Sequence, residues 1–179
     1  MYRMTLAGII LSALTAAPAV MAADQIEHFH AVFSGFDEIG ALNAATGAVL
    51  SPGKGTLELQ LDKVNQTLSF SLTFADLGAP VTQSHIHFGK NHVAGGVMVF
   101  FCTNLNNGPA DTQACPAGGG TVTGTLSAAD VVGPAGQNVK AGDFQAVVDA
   151  LESDTAYANI HTTKFPAGEI RGQIRHGSH

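Results

Sequence analysis

Residues 56–74 read TLELQLDKVNQTLSFSLTF. Apolar side chains fill every second position on both sides of the polar turn 62–65: Leu57, Leu59 and Leu61 before it, and Leu68, Phe70, Leu72 and Phe74 after it. A period of two places these side chains on one face of an extended chain and the polar residues on the other. The stretch therefore predicts an antiparallel hairpin with one face in the core.

The same period recurs elsewhere, between segments rich in Gly, Pro and Asn. A strand is expected around Phe29, Ala31 and Phe33. Further strands are expected at 83–88, 96–103, 120–126, 157–162 and 169–175. Apolar residues at i, i+3, i+4 and i+7 predict one helix at 143–151. These elements predict an all-β fold, an antiparallel β-sandwich or Greek-key barrel of about eight strands with one short helix.

The amino-acid composition limits the classes of function that the chain can have. The chain has 179 residues, of which 45% are hydrophobic and 12% charged, and 21 are Gly. This balance favours a single β domain over a disordered tail or a coiled coil. The formal charge of -6 would repel phosphate backbones, so nucleic acid is not an expected partner. Eight His residues equal the number of Lys and Arg together, which directs attention to metal binding.

The first 23 residues have the pattern of a secretory signal peptide. Arg3 precedes an apolar run from Leu6 to Ala17, and small residues follow up to Ala23. Removal of this segment would leave one mature domain, residues 24–179, without another candidate membrane span. We expect an exported protein, periplasmic or extracellular. Under oxidising conditions Cys102 and Cys115 should form a disulfide.

The segment SHIHFG, residues 84–89, carries the strongest chemical signal. On a strand, His85 and His87 share one face with Cα atoms about 6.6 Å apart, so both rings can reach one ion. His161, in the later strand, is a candidate third ligand. Neutral imidazoles in an exported protein favour copper first and zinc second over calcium or magnesium. The alternative is that each of these rings is an ordinary hydrogen-bonded histidine.

Four more residues are candidates for this site. His30, in the first strand, and His92, five residues after His87, are possible further ligands. Glu169 and Arg171 share a strand face near His161. They are expected to form an ion pair or hydrogen-bond cluster, or to orient the imidazole from a second layer around the metal.

A family resemblance rests on three runs of sequence. These are the opening FSGFDE at 33–38, the run SHIHFG with GGVMVF at 95–100, and YANIHTTKFPAGEIRGQI at 157–174. Together they resemble the CHRD domain, named from chordin, over residues 29–174. The resemblance implies an all-β fold of the kind found in exported bacterial proteins and in secreted animal regulators of growth factors.

A weaker similarity is to the Greek-key barrels of Cu/Zn superoxide dismutases, which carry a His-x-His pair on a strand and one disulfide. His85 and His87 would correspond to that pair and His161 to a distant ligand. The sequence departs from that family because it has no evident bridging His and Asp cluster for zinc. The similarity therefore implies single-copper binding more than dismutase activity.

Three functions remain in view. The first is an exported CHRD-type protein that binds a metal ion, copper above all, through His85, His87 and His161. The second is a non-catalytic surface or matrix module that binds another protein and uses its histidines structurally. The third is a dismutase-like redox enzyme. The sequence lacks the serine-nucleophile, dinucleotide and phosphate-loop motifs, which favours a non-catalytic protein.

Overall fold

The computed structural model describes residues 26–39 and 47–177, so the expected signal peptide lies outside the described residues. Within these described residues, nine strands and one α-helix form the fold. The strands are β1 Ile26–Ser34, β2 Lys54–Asp62, β3 Thr67–Ala75, β4 Val81–Phe88, β5 Gly96–Thr103, β6 Gly120–Leu126, β7 Ala156–Thr162, β8 Ile170–Gln173 and β9 Arg175–His176. The helix α1 spans Phe144–Glu152. Among the described residues, no helix is both long and apolar enough to cross a membrane.

All the strands belong to one antiparallel sheet. Eight of them follow the order β5-β4-β7-β8-β1-β2-β3-β6, and the short β9 pairs with β1. The two end strands, β5 and β6, approach each other, so the sheet is a nearly closed barrel. The prediction of an all-β fold is confirmed. Of the two expected forms, sandwich and barrel, the structure has the barrel.

The predicted hairpin is present and its register follows the apolar pattern. Leu59 lies opposite Phe70, and Leu57 lies opposite Leu72, so the apolar residues of both strands point to the same face. β1 adds Phe29 to this face, opposite Leu59. These side chains are buried, and their polar neighbours are exposed or half-buried. A shift of one residue would move the whole set to the solvent side, which fixes the register.

The other half of the barrel is buried on both faces. All seven residues of β7 are buried, and so are the four residues 84–87 of β4. Ile86, Ala158 and Ile160 face the hydrophobic core. Because side chains alternate, their neighbours in sequence face the opposite side of the sheet. On that outer face, connecting segments cover these side chains and keep them from water. We call this group of His85, His87, Tyr157, Asn159 and His161 the outer cluster, and it contains the candidate metal ligands.

Helix α1 begins where its sequence predicts. The Asp143 carboxylate accepts a hydrogen bond from the Ala146 amide at 3.2 Å and caps the first turn. The apolar residues of the predicted stripe, among them Phe144 and Leu151, are buried. The helix lies against β7 and β9. Its buried residues belong to the hydrophobic core.

The expected disulfide joins Cys102 on β5 to Cys115 in the connection to β6, with the Cα atoms 5.0 Å apart. The Asn104 side chain secures the same loop, since its amide donates to the carbonyl oxygens of Val81 and Cys115. Its own oxygen accepts from the Cys115 amide. The Asn104 side chain thus adds three hydrogen bonds to the covalent bond that holds the loop.

We expect the double variant Cys102→Ala/Cys115→Ala to lower the free energy of unfolding by about 3 kcal/mol, because the bond restricts a short loop in the unfolded chain. Urea unfolding followed by circular dichroism measures the change. Reduction of the wild-type protein should reproduce most of the loss, whereas the double variant should not respond to reductant. A reduced wild-type protein as stable as the oxidised one would contradict this account.

Candidate metal centre

Three histidine rings meet in the outer cluster. β4 carries His85 and His87, and β7 carries His161; the pairing of these strands places His85 opposite Asn159 and His87 opposite Tyr157. One ring nitrogen from each histidine lies within 4.8 Å of the other two. The side chains are only 2%, 7% and 6% exposed. The structure therefore brings together three of the five histidines proposed from the sequence.

Two of the rings are oriented by backbone carbonyl groups. His87 donates from Nδ1 to the carbonyl oxygen of Gly95 at 2.9 Å, and His161 donates from Nδ1 to that of Pro166, also at 2.9 Å. The Nε2 atoms of both rings then point inward, each 3.0 Å from Oδ1 of Asn159. Such a carbonyl bond at one nitrogen is how proteins commonly orient a metal-binding histidine.

The third ring differs from the other two. Among the described residues, neither ring nitrogen of His85 has a hydrogen-bond partner. The ring packs edge-on against Phe100, with centroids 4.4 Å apart, and lies 4.9 Å from the His161 ring. Asn159 is near enough to favour the charged form of His85 slightly, but it is not in hydrogen-bonding geometry. A buried polar group left unsatisfied costs about 1–3 kcal/mol, which suggests that His85 is placed for a ligand.

The electrostatics keep all three rings neutral. Burial lowers the pKa of His85 to about 2, and repulsion by His161 and His87 adds to the fall. Burial also lowers the pKa of His87 to about 4, against the opposing effect of its bond to Gly95. The pKa of His161 is lowered by burial as well. Neutral imidazole is the form that binds a metal, so the site needs little deprotonation near pH 7.

A stack of side chains supports His87 from outside. The Tyr157 ring lies parallel to the His87 ring at 4.7 Å, and the Arg171 guanidinium carbon lies 3.3 Å from the centre of the Tyr157 ring. Arg171 also donates to the carbonyl oxygens of Lys90 and Val93, at 3.1 and 2.9 Å. It therefore fixes the segment 89–95, whose last carbonyl orients His87.

Gly95 is required at that position. A Cβ atom there would collide with the carbonyl oxygen of Phe88, so no other residue fits without moving the backbone. The close approach brings the Gly95 carbonyl to Nδ1 of His87 and its amide to the Tyr157 hydroxyl oxygen, at 3.1 Å. One glycine thus connects the segment to two side chains of the cluster.

The other sequence candidates lie apart from the three rings. His30 is on β1, which β8 separates from β7, and it is half-buried beside Glu58 and Arg175. His92 is exposed in the turn after β4. Neither belongs to the group of ring nitrogens within 4.8 Å, which among the described residues consists of His85, His87 and His161.

Glu169 lies in a hydrogen-bond cluster, which is one of the environments expected from the sequence. Its buried carboxylate accepts hydrogen bonds from the Ser51 hydroxyl at 2.6 Å, the Gly78 amide at 2.7 Å and the Thr162 hydroxyl at 2.7 Å. Nδ1 of His161, the atom that a second-layer residue would orient, donates its hydrogen bond to the carbonyl oxygen of Pro166. Glu169 therefore ties two connecting segments to β7, while Arg171 reaches the cluster through Tyr157.

Comparison with known proteins agrees with this architecture. The family model of the CHRD domain matches residues 29–174. The chain belongs to the CHRD family. Searches of curated proteins and of solved structures gave no match. His85, His87 and His161 all lie inside the matched range.

The metal-free CHRD domain should lose stability as the pH falls below about 6.5. The unfolded chain takes up protons there, near the ordinary histidine pKa, whereas the folded domain keeps His85 and His87 neutral down to about pH 2 and pH 4. Stability is thus highest above pH 6.5, and each such ring costs about 2 kcal/mol by pH 5.

The variant His85→Leu isolates one ring, because it removes a titratable group that has no hydrogen-bond partner among the described residues. Urea unfolding in EDTA at pH 7.5 and pH 5 should show a smaller loss of stability for the variant than for the wild type, by about 2 kcal/mol. The exposed His92→Gln is the control and should match the wild type. Equal losses in wild type and His85→Leu would refute the neutral, buried His85.

Proposed function

We propose that this CHRD domain is an exported metal-binding protein that takes up copper through His85, His87 and His161, with zinc as the second candidate ion. The observation that carries the proposal is His85, a buried ring whose nitrogens have no partner among the described residues, placed beside two rings held by backbone carbonyls. A metal ion would satisfy the lone pair that the fold leaves unused.

The choice of metal follows from the ligand atoms. The group consists of three imidazole nitrogens and includes no carboxylate. Nitrogen ligands disfavour calcium and magnesium, which prefer oxygen. Among divalent first-row ions, copper binds such a site more tightly than zinc. The disulfide suits an oxidising compartment, which supports export to the periplasm or beyond the cell.

The low exposure of the rings favours binding over catalysis. With 2–7% of each side chain exposed, a bound ion would have little room for a substrate. This supports storage, transfer or structural use of the metal more than a dismutase-like redox reaction.

A second candidate function is a protein-interaction module with structural histidines. Exposed apolar side chains favour it: Phe36 is 67% exposed and Leu50 is 88% exposed. They lie on neighbouring segments, which are joined by the hydrogen bond from the Val49 amide to the Gly35 carbonyl. In that case the domain would bind its partner equally well with and without metal.

Titration of the metal-free domain, residues 24–179, with Cu²⁺ and Zn²⁺ at pH 7.5 tests the proposal. We expect one ion per chain, with copper bound more tightly. His87→Ala should weaken copper binding by more than the 10- to 100-fold that loss of an outer partner costs. His161→Gln provides a second test if His87→Ala does not fold.

The matched controls are His30→Ala and His92→Ala, which remove histidines outside the cluster. Both should keep wild-type affinity for copper. Circular dichroism of every variant confirms that it is folded. A wild-type protein that binds neither ion, or a His87→Ala variant with unchanged affinity, would overturn the proposal.

A further inference from the structure

Asn159 occupies the centre of the histidine cluster. It lies on β7 on the same face as His161, opposite His85 in the register, and is 3% exposed. Its Oδ1 is 3.0 Å from Nε2 of His87 and 3.0 Å from Nε2 of His161. The backbone around it is fixed, because the Ser84 hydroxyl donates to the Asn159 carbonyl at 2.7 Å.

The protons on the two rings follow from their outer partners. The carbonyl oxygens of Gly95 and Pro166 only accept hydrogen bonds, so the Nδ1 atoms facing them carry the protons. A neutral imidazole has one N–H group. Nε2 of His87 and Nε2 of His161 are therefore unprotonated, and the lone pair of each points at the Asn159 side chain.

An amide oxygen is itself an acceptor, so Oδ1 of Asn159 can satisfy neither lone pair. Two arrangements resolve the conflict. A half-turn of the amide about its terminal bond exchanges Oδ1 for Nδ2, whose two N–H groups can serve one ring each. Alternatively, a cation held between the rings attracts both lone pairs and the oxygen together.

We propose that Asn159 uses both arrangements and is the fourth ligand of the metal. In the metal-free protein its NH₂ group donates to His87 and His161 and keeps the rings in position. When the ion enters, the amide turns and presents Oδ1 to it. The inference rests on the proposed function, and it adds an oxygen ligand to the three nitrogens.

The chemistry suits copper. Blue-copper sites, whose other ligands are two His and one Cys, accept a weak, long axial ligand that can be the amide oxygen of Gln. An amide is neutral, so it does not add charge to a buried site. It is also the one side-chain group that can donate to two rings in one orientation and coordinate in the other.

Two substitutions separate these roles. Asn159→Leu has similar size but neither donates nor coordinates, whereas Asn159→Asp keeps an oxygen ligand and loses the NH₂ donor. We expect Asn159→Leu to weaken copper binding about 10-fold or more and to change the copper electron paramagnetic resonance spectrum. Asn159→Asp should keep copper affinity within a few-fold of the wild type or exceed it.

The matched control is Leu72→Ala, which removes packing from the hydrophobic core on β3 and touches no residue of the cluster. It should lower stability and leave copper affinity and spectrum unchanged. If the role of Asn159 were merely structural, Leu and Asp would weaken copper binding alike, in proportion to lost stability. Asn159→Ala, which also neither donates nor coordinates, replaces Asn159→Leu if the latter does not fold.

Nitrogen-15 NMR of the metal-free protein tests the resting arrangement without any metal. We expect Nε2 of His87 and His161 to be unprotonated and Nδ1 to carry the proton. Protonated Nε2 atoms would overturn the inference, and so would wild-type copper affinity and spectrum in Asn159→Leu. A wild-type protein that binds no ion would instead refute the proposed function and, with it, the ligand role, while the NMR result would still decide the orientation of the amide.

Discussion

A strand buried on both faces must satisfy from within the protein every polar side chain that it carries. β7 is such a strand, with all seven residues buried, and it brings Asn159 and His161 into a region without ready access to water. Unpaired polar groups there cost free energy. The fold meets this demand for His87 and His161 through carbonyls and Asn159, and leaves the lone pair of His85 available.

The covering segments make the cluster possible. The segment 89–95 returns over β4, is fastened by Arg171, and supplies the Gly95 carbonyl. The turn after β7 supplies the Pro166 carbonyl in the same way. Burial by these segments both orients the rings and lowers their pKa values, so one structural feature accounts for the geometry and for the neutral charge state.

The period-two pattern was enough to predict most strands, the central hairpin and the face shared by His85 and His87, because these depend on local alternation. It did not predict that the strand expected at 169–175 is divided into β8 and β9, of which β9 pairs with β1. The role of His161 as a candidate third ligand was also predicted, from the strand expected at 157–162. Asn159 was missed as a participant, although it shares a face with His161, because its role depends on which strand pairs with β4. The positions of Gly95, Pro166 and Arg171 depend on how loops fold back, which no local pattern specifies. The same limit applies to Glu169, whose partners Ser51 and Gly78 are distant in sequence.

The central claim is that the three buried rings form one preorganised metal centre. A crystal structure of the copper-loaded domain, with anomalous diffraction recorded at the copper edge, tests it most directly. The account predicts a single strong peak bounded by Nε2 of His87, Nε2 of His161 and one ring nitrogen of His85, at coordination distances of about 2 Å. A peak at histidines outside the cluster, such as His30 or His92, with none inside it, would contradict the claim.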